Sequence, residues 1–416
     1  MRWLTFNTGA NGIANLFGEE SFWKEKFLEM YRSHRPFREL DQITGNISSH
    51  FQTWMQHPTP DAYWKQMWLT PEEYARIDQP ILSITGHFDG DQPGAMHYYR
   101  QHMRFGTPQG KAKHYLILGP WDHPGTRTPQ KQFGGLTVGD ASLLDMNKLH
   151  LDWYDWTLKN GPKPDFLKDQ VAYYVLGAET WKYAPSLEAI SNLTKRLYLN
   201  SQDGQPNDTF HSGSLDVAPP AQAEPDRYTY DPLDVRPAEM EHEEFTNYIS
   251  DQRYALNLFG NGLVYHTAPF TEATEISGYI KLELWIALDV PDTDFQVSLS
   301  EILLDGGNIN LGWAMMRARY RKSLEQEKLI PPGEIIRYVL DNFNFFSRQV
   351  AKGSRLRLVI SCPNSILTQK NYNSGGVVAE ESAADARTAH ITLYHDAEHP
   401  SCLELPLVIP EPQQVK

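Results

Sequence analysis

Two short runs, Pro80-Ile81-Leu82-Ser83-Ile84-Thr85 and Tyr115-Leu116-Ile117-Leu118, lack the apolar–polar alternation of a half-exposed strand. Runs of this kind belong to strands covered on both faces, as in a parallel sheet packed between helices. The stretch from Gln79 to about Tyr183 therefore reads as α/β. Within it, Asp140 to Gly161 is expected to be a helix, with Asp140 capping its start, Leu144, Leu151 and Leu158 seven apart, and Gly161 just past its end.

The flanking stretches have different periods. From Glu19 to about Ala75 the sequence is aromatic-rich, with Phe22, Trp23, Phe27 and Tyr31 at the three- and four-residue spacing of a helix face, which predicts short helices. From about Leu193 onward helical periodicity vanishes. Arg196–Leu199, Ile280–Ile286, Arg355–Ile360 and His390–Tyr394 read as strands separated by Gly, Pro, Asn and Asp, the pattern of an antiparallel sandwich or jelly roll. Ser201 to Pro225, rich in Asp, Pro, Ala and Gln, is expected to be a surface loop.

With 416 residues the chain exceeds the roughly 250 to 300 residues at which single cores stop growing, so two or three domains are expected. Its formal charge of −14 argues against nucleic acid or an anionic membrane as partner, because phosphate binding needs clustered Lys and Arg. Cys362 and Cys402 are too few for a disulfide framework or a zinc ribbon. Met1-Arg2-Trp3-Leu4 does not open a signal peptide, so the chain as written fits the cytoplasm; an export signal would be lost with any missing N-terminal part.

Chemistry concentrates at the ends of the two apolar runs. Gly86-His87-Phe88-Asp89-Gly90-Asp91 follows the first, and Gly119-Pro120-Trp121-Asp122-His123-Pro124-Gly125 follows the second. Ligands bind outside the carboxyl ends of strands in open parallel sheets. A strand-end acid followed by a strand-end histidine has the chain order of an α/β-hydrolase, in which the carboxylate fixes the imidazole tautomer so that the ring can take a proton from a serine. Each motif alone also fits a turn acid or a structural histidine.

Together they resemble the segments that carry the acid and the histidine in the X-Pro dipeptidyl-peptidase and cocaine-esterase family of serine hydrolases, which includes α-amino-acid ester hydrolases: Gly86-His87-Phe88-Asp89 resembles Gly-Trp-Tyr-Asp, and Gly119-Pro120-Trp121-Asp122-His123 resembles Gly-Pro-Trp-x-His. Trp153–Gly161 is similar to the family's closing helix and Val171–Trp181 to the strand after it. Tyr230-Asp231-Pro232, Asp292–Phe295, Gly353–Leu358, Asn371–Gly376 and His395–Ser401 follow in the family's order. The resemblance implies the C-terminal part of an α/β-hydrolase domain with a helical cap, then a galactose-binding-like β jelly roll, divided as 1–75, 76–190 and 191–416. It implies Asp89 and His123 as triad acid and base, no cofactor or metal, and a small ester or short peptide as substrate. Asp91, two residues past Asp89, is similar to an acid that binds a substrate ammonium group in the α-amino-acid ester hydrolases, although Gln92 stands where a second acid is expected.

One departure matters as much as the match. No Gly-x-Ser-x-Gly occurs in the sequence, and Ser214, Ser354 and Ser374 read as turn residues in the β-rich part. The elbow, the strands before it and the oxyanion-hole residues are missing, as though the chain began after them. The expectation is an inactive chain, marginally soluble or associating into homo-oligomers, from a family of hydrolases. Two rivals stand beside it: a non-catalytic jelly-roll binding protein or decayed paralogue, and a metal hydrolase using some of His87, Asp89, Asp91, His97 and His102.

Overall fold

The computed structural model describes residues 1–8, 16–241, 247–253 and 255–410. The N-terminal region is helical, as the aromatic spacing predicts. In α1 (Glu20–Ser33) the buried side chains are Trp23 and Tyr31. Ser48 starts α2 (Ser49–Gln56) by accepting from the Phe51 N–H, which satisfies one of the orphan donors of its first turn.

The central region forms a four-stranded sheet in the order β1 (Ile81–Phe88), β2 (His114–Asp122), β3 (Val171–Val175), β4 (Thr180–Ala184). The first three strands run parallel and β4 antiparallel. β2 is buried through Trp121 and β3 throughout, whereas Ile81 to Ile84 of β1 are only partly buried. The reason is position: β1 pairs with β2 alone among the described residues and leaves its other edge unpaired. Two crossovers return the chain, α3 (Gln92–Phe105) between β1 and β2 and α4 (Met146–Lys159) between β2 and β3.

The sequence reading of α4 needs correction at its start and on its face. Asp140 heads a separate 3-10 turn, and the cap is Asp145, whose carboxylate accepts from the Lys148 N–H at 2.9 Å. Leu151 and Leu158 point to solvent, while Met146, Leu149 and Trp153 form the buried face with the partly buried Trp156. Asn160, in the left-handed region at φ 58°, ends the helix.

From Leu193 on, the chain builds a thirteen-stranded sheet whose pairings are antiparallel except one, between Gly262–Thr267 and Gly213–Asp216. Gly213–Asp216 lies inside the stretch expected to be a loop, so Ser214 is a strand residue. The two sheets are stitched together by backbone bonds. Leu176 N–H donates to Ser347 O at 3.1 Å and Gln349 N–H to Leu176 O at 2.7 Å. Cys362 and Cys402 are buried free thiols. Among the described residues no helix is long and apolar enough to cross a membrane.

Candidate active site

The ends of β1 and β2 come together because two glycines face each other across them, Gly86 opposite Gly119. A Cβ on Gly86 would stand 2.0 Å from the Trp121 carbonyl oxygen, and one on Gly119 would stand 2.1 Å from the Trp121 ring. Without side chains at both positions, the fully buried Trp121 folds back over the strand ends and donates from Nε1 to Ser142 O at 3.0 Å. This fixes the turn that carries Asp122 and His123.

Asp89 and His123 meet at this point. His123 Nδ1 lies 3.0 Å from Asp89 Oδ1, and because a carboxylate only accepts, the ring donates from Nδ1. Asp89 is buried and held on both oxygens: Thr85 Oγ1 donates to Oδ2 at 3.0 Å, and the Asp91 N–H donates to Oδ1 at 3.0 Å. His123 is about half exposed, and its Nε2 accepts from the Arg127 guanidinium at 3.1 Å. In this arrangement Nδ1 donates to the carboxylate and Nε2 presents its lone pair, the tautomer a general base requires. The exposed Arg127 sits where a nucleophile's hydroxyl would have to approach.

The other charged neighbours divide cleanly. Asp91 turns a largely exposed carboxylate toward the same ring nitrogen, with Oδ2 at 3.4 Å from His123 Nδ1. Asp122 turns away, accepting from the Gly125 N–H at 3.0 Å and from Tyr248 OH at 3.2 Å. Gln92 is buried: its Nε2 donates to Gly86 O and Phe345 O, both at 2.9 Å, and its Oε1 accepts from the Phe345 N–H at 2.7 Å. An acid there would lose the two donated bonds, which is why an amide occupies the position.

The five residues considered as metal ligands do not converge. His87 is buried against Phe345 and donates from Nε2 to Tyr174 O at 2.8 Å; burial pushes its pKa down to about 4. His102 pairs with His114 at 2.8 Å, and His97 lies beside Trp68. Only Asp89 and Asp91 of that set share a point, and His123 is the third donor: one atom from each falls within 4.8 Å of the others. Thr85, Arg127 and Tyr248 were not singled out from sequence. Thr85 could have been, since it lies four residues before Asp89 at the end of the same strand.

Residues 167–404 match the family described as X-Pro dipeptidyl-peptidase C-terminal non-catalytic domain, and residues 19–125 match X-Pro dipeptidyl-peptidase (S15 family). The chain is 26% identical over 360 residues to cocaine esterase of Rhodococcus sp. (strain MB1 Bresler), covering 85% of this chain and 60% of that protein. Its fold is similar to that of an α-amino acid ester hydrolase, with a TM-score of 0.76 at 22% identity over 92% of this chain and 64% of that one. An aminopeptidase from a marine sediment Thaumarchaeota archaeon gives a TM-score of 0.73 at 21% identity, over 87% and 60% of the two chains. The chain thus spans about 60% of the length of the curated relative it matches.

Proposed function

The chain belongs to the X-Pro dipeptidyl-peptidase (S15) family, and from that membership we propose that it supplies the acid and base of a serine hydrolase acting on acyl ester or peptide bonds. The observation that carries the reading is the Thr85–Asp89–His123 chain of hydrogen bonds at the strand ends. In the proposed cycle His123 Nε2 takes the proton of a serine hydroxyl as that oxygen attacks the substrate carbonyl. Asp89 stabilises the imidazolium, and the proton passes to the leaving group as the acyl-enzyme forms. Arg127 must first move off Nε2.

The serine is a separate matter. No Gly-x-Ser-x-Gly is present in the 416 residues, and none of the described serines donates to His123, which supports a chain that is inactive by itself. We assign the three stretches 1–75, 76–190 and 191–416 to a helical cap, the C-terminal part of the hydrolase domain and a jelly roll; the almost wholly antiparallel pairing of the last supports that name. Asp91, exposed beside the base, is assigned to a substrate ammonium group.

The test is kinetic, on a form extended to include an elbow serine and assayed with an activated ester. His123→Ala should lower turnover roughly 10⁴-fold, whereas Asp122→Asn, whose side chain faces Gly125 and Tyr248, should stay within about tenfold. Near-normal acylation in the His123 variant would remove the assignment. Asp91→Asn should raise KM for amino-acyl esters and leave neutral acyl esters unchanged.

A further inference from the structure

We propose that the turn carrying Asp89 and Asp91, together with His123, is an inhibitory site for a divalent transition-metal ion such as Zn²⁺. The inference rests on the assignment of Asp89 and His123 as acid and base. Its first support is the donor set. One imidazole nitrogen and two carboxylate oxygens suit Zn²⁺ and leave a fourth position for water.

Its second support is spacing. Donors held at about 2.0–2.2 Å around a tetrahedral ion stand about 3.3–3.5 Å from one another. Here His123 Nδ1 lies 3.0 Å from Asp89 Oδ1 and 3.4 Å from Asp91 Oδ2, with all three donors within 4.8 Å. The His123–Asp91 separation already fits this spacing, and the His123–Asp89 pair must open by a few tenths of an ångström to reach it.

The third support is orientation. Ligating carboxylates in metal sites are themselves held by hydrogen bonds, and Asp89 has Thr85 on one oxygen and the Asp91 N–H on the other. The backbone bond also ties the two acids to each other, so Asp91 is brought to the ring by the turn and not by a long flexible side chain. Its carboxylate makes no hydrogen bond of its own among the described residues and lies open to solvent, which gives an ion its way in.

Binding would reverse the histidine. The ion takes the Nδ1 lone pair, so the proton now on Nδ1 moves to Nε2 through solvent and none is lost overall. Arg127, which donates to Nε2, must then leave, because two donors cannot face each other. With Nε2 protonated the ring cannot accept a proton from a serine. Zinc and catalysis therefore exclude each other, and a substrate ammonium group would compete with the ion for Asp91.

The experiment is equilibrium dialysis of the 416-residue chain against Zn²⁺, with metal per chain measured directly and circular dichroism confirming the fold of each variant. One ion per chain is expected. Asp91→Asn and His123→Ala should each weaken binding by more than about tenfold, Asp122→Asn should not, and a large excess of Mg²⁺ should not displace the ion. Absence of stoichiometric binding, unchanged affinity in Asp91→Asn, or displacement by Mg²⁺ would overturn the proposal. Dialysis involves no turnover, so its failure would leave the hydrolase reading standing. Full hydrolysis by an extended His123→Ala form would remove that reading without touching the metal data.

Discussion

A carbonyl or carboxylate that can only accept decides which nitrogen of a histidine holds the proton, and the rule settles the candidate site and a buried histidine pair beside it. At the candidate site Asp89 sets His123. On the buried face of α3, His102 Nε2 donates to Ile77 O at 3.1 Å, so its Nδ1 accepts from His114 Nδ1, and His114 Nε2 accepts from Ser83 Oγ at 2.9 Å. Burial, reinforced by His102, pushes His114 down to about 3, and burial pushes His87 to about 4, both from an ordinary 6.5. The unfolded chain binds protons at these positions below pH 6.5 while the fold refuses them. Stability is therefore full above that pH and falls as the pH drops toward the folded values. Urea unfolding at pH 7.5 and 5.5 should differ by about 1 kcal/mol for each of the two histidines, and His114→Gln should remove its share of the difference. A pH-independent midpoint in the unaltered chain would contradict this. That Asp89 and His123 would meet was legible in sequence, because each follows an apolar run in a family-like motif. Arg127 was not, since it carries no signature and its role exists only once the strand ends converge; Thr85, four residues before Asp89 on the same strand, was there to be found and was missed.

At the scale of elements, period was legible and competition between local signals was not. The apolar runs became β1 and β2, and alternation from Leu193 became strands. The helix after β2 was misread because two acids, Asp140 and Asp145, both suit a cap, and the one whose carboxylate reaches the Lys148 N–H won. The heptad of leucines misled for a similar reason: the face that meets the sheet is chosen by Trp153 and Trp156, which pack on Tyr115. Gln92 shows what sequence cannot give at all. Its position in the motif suggested a missing substrate-binding acid, yet it joins the start of α3 to Phe345 in the large sheet. Gln92→Ala would leave the Phe345 N–H and carbonyl without the partner that Gln92 supplies, while Gly86 O keeps the Asp89 N–H, at a cost of about 2–4 kcal/mol. It should also lower the cooperativity of urea unfolding as the two sheets uncouple; an unchanged midpoint would show that the bonds are dispensable.

For the whole molecule the decisive feature is the open edge of β1. Ile81 to Ile84 are only partly buried where a strand of this composition is ordinarily covered, and Met67, Trp68 and Leu69 are exposed in the helical region. An unpaired apolar edge invites pairing with another chain. Sedimentation velocity at micromolar concentration should therefore show dimers or larger species for the 416-residue chain, and a form that supplies a strand against β1 should be monomeric or distinctly less associated. A clean monomer of the shorter chain would contradict this. The central claim, that Asp89 and His123 are half of a relay completed by a serine elbow outside these residues, is met most directly by fluorophosphonate labelling followed by peptide mass mapping. The account predicts no labelled serine in the 416-residue chain, labelling of the elbow serine alone in an extended form, and loss of that label in His123→Ala. Stoichiometric labelling of any serine within the 416 residues would contradict it.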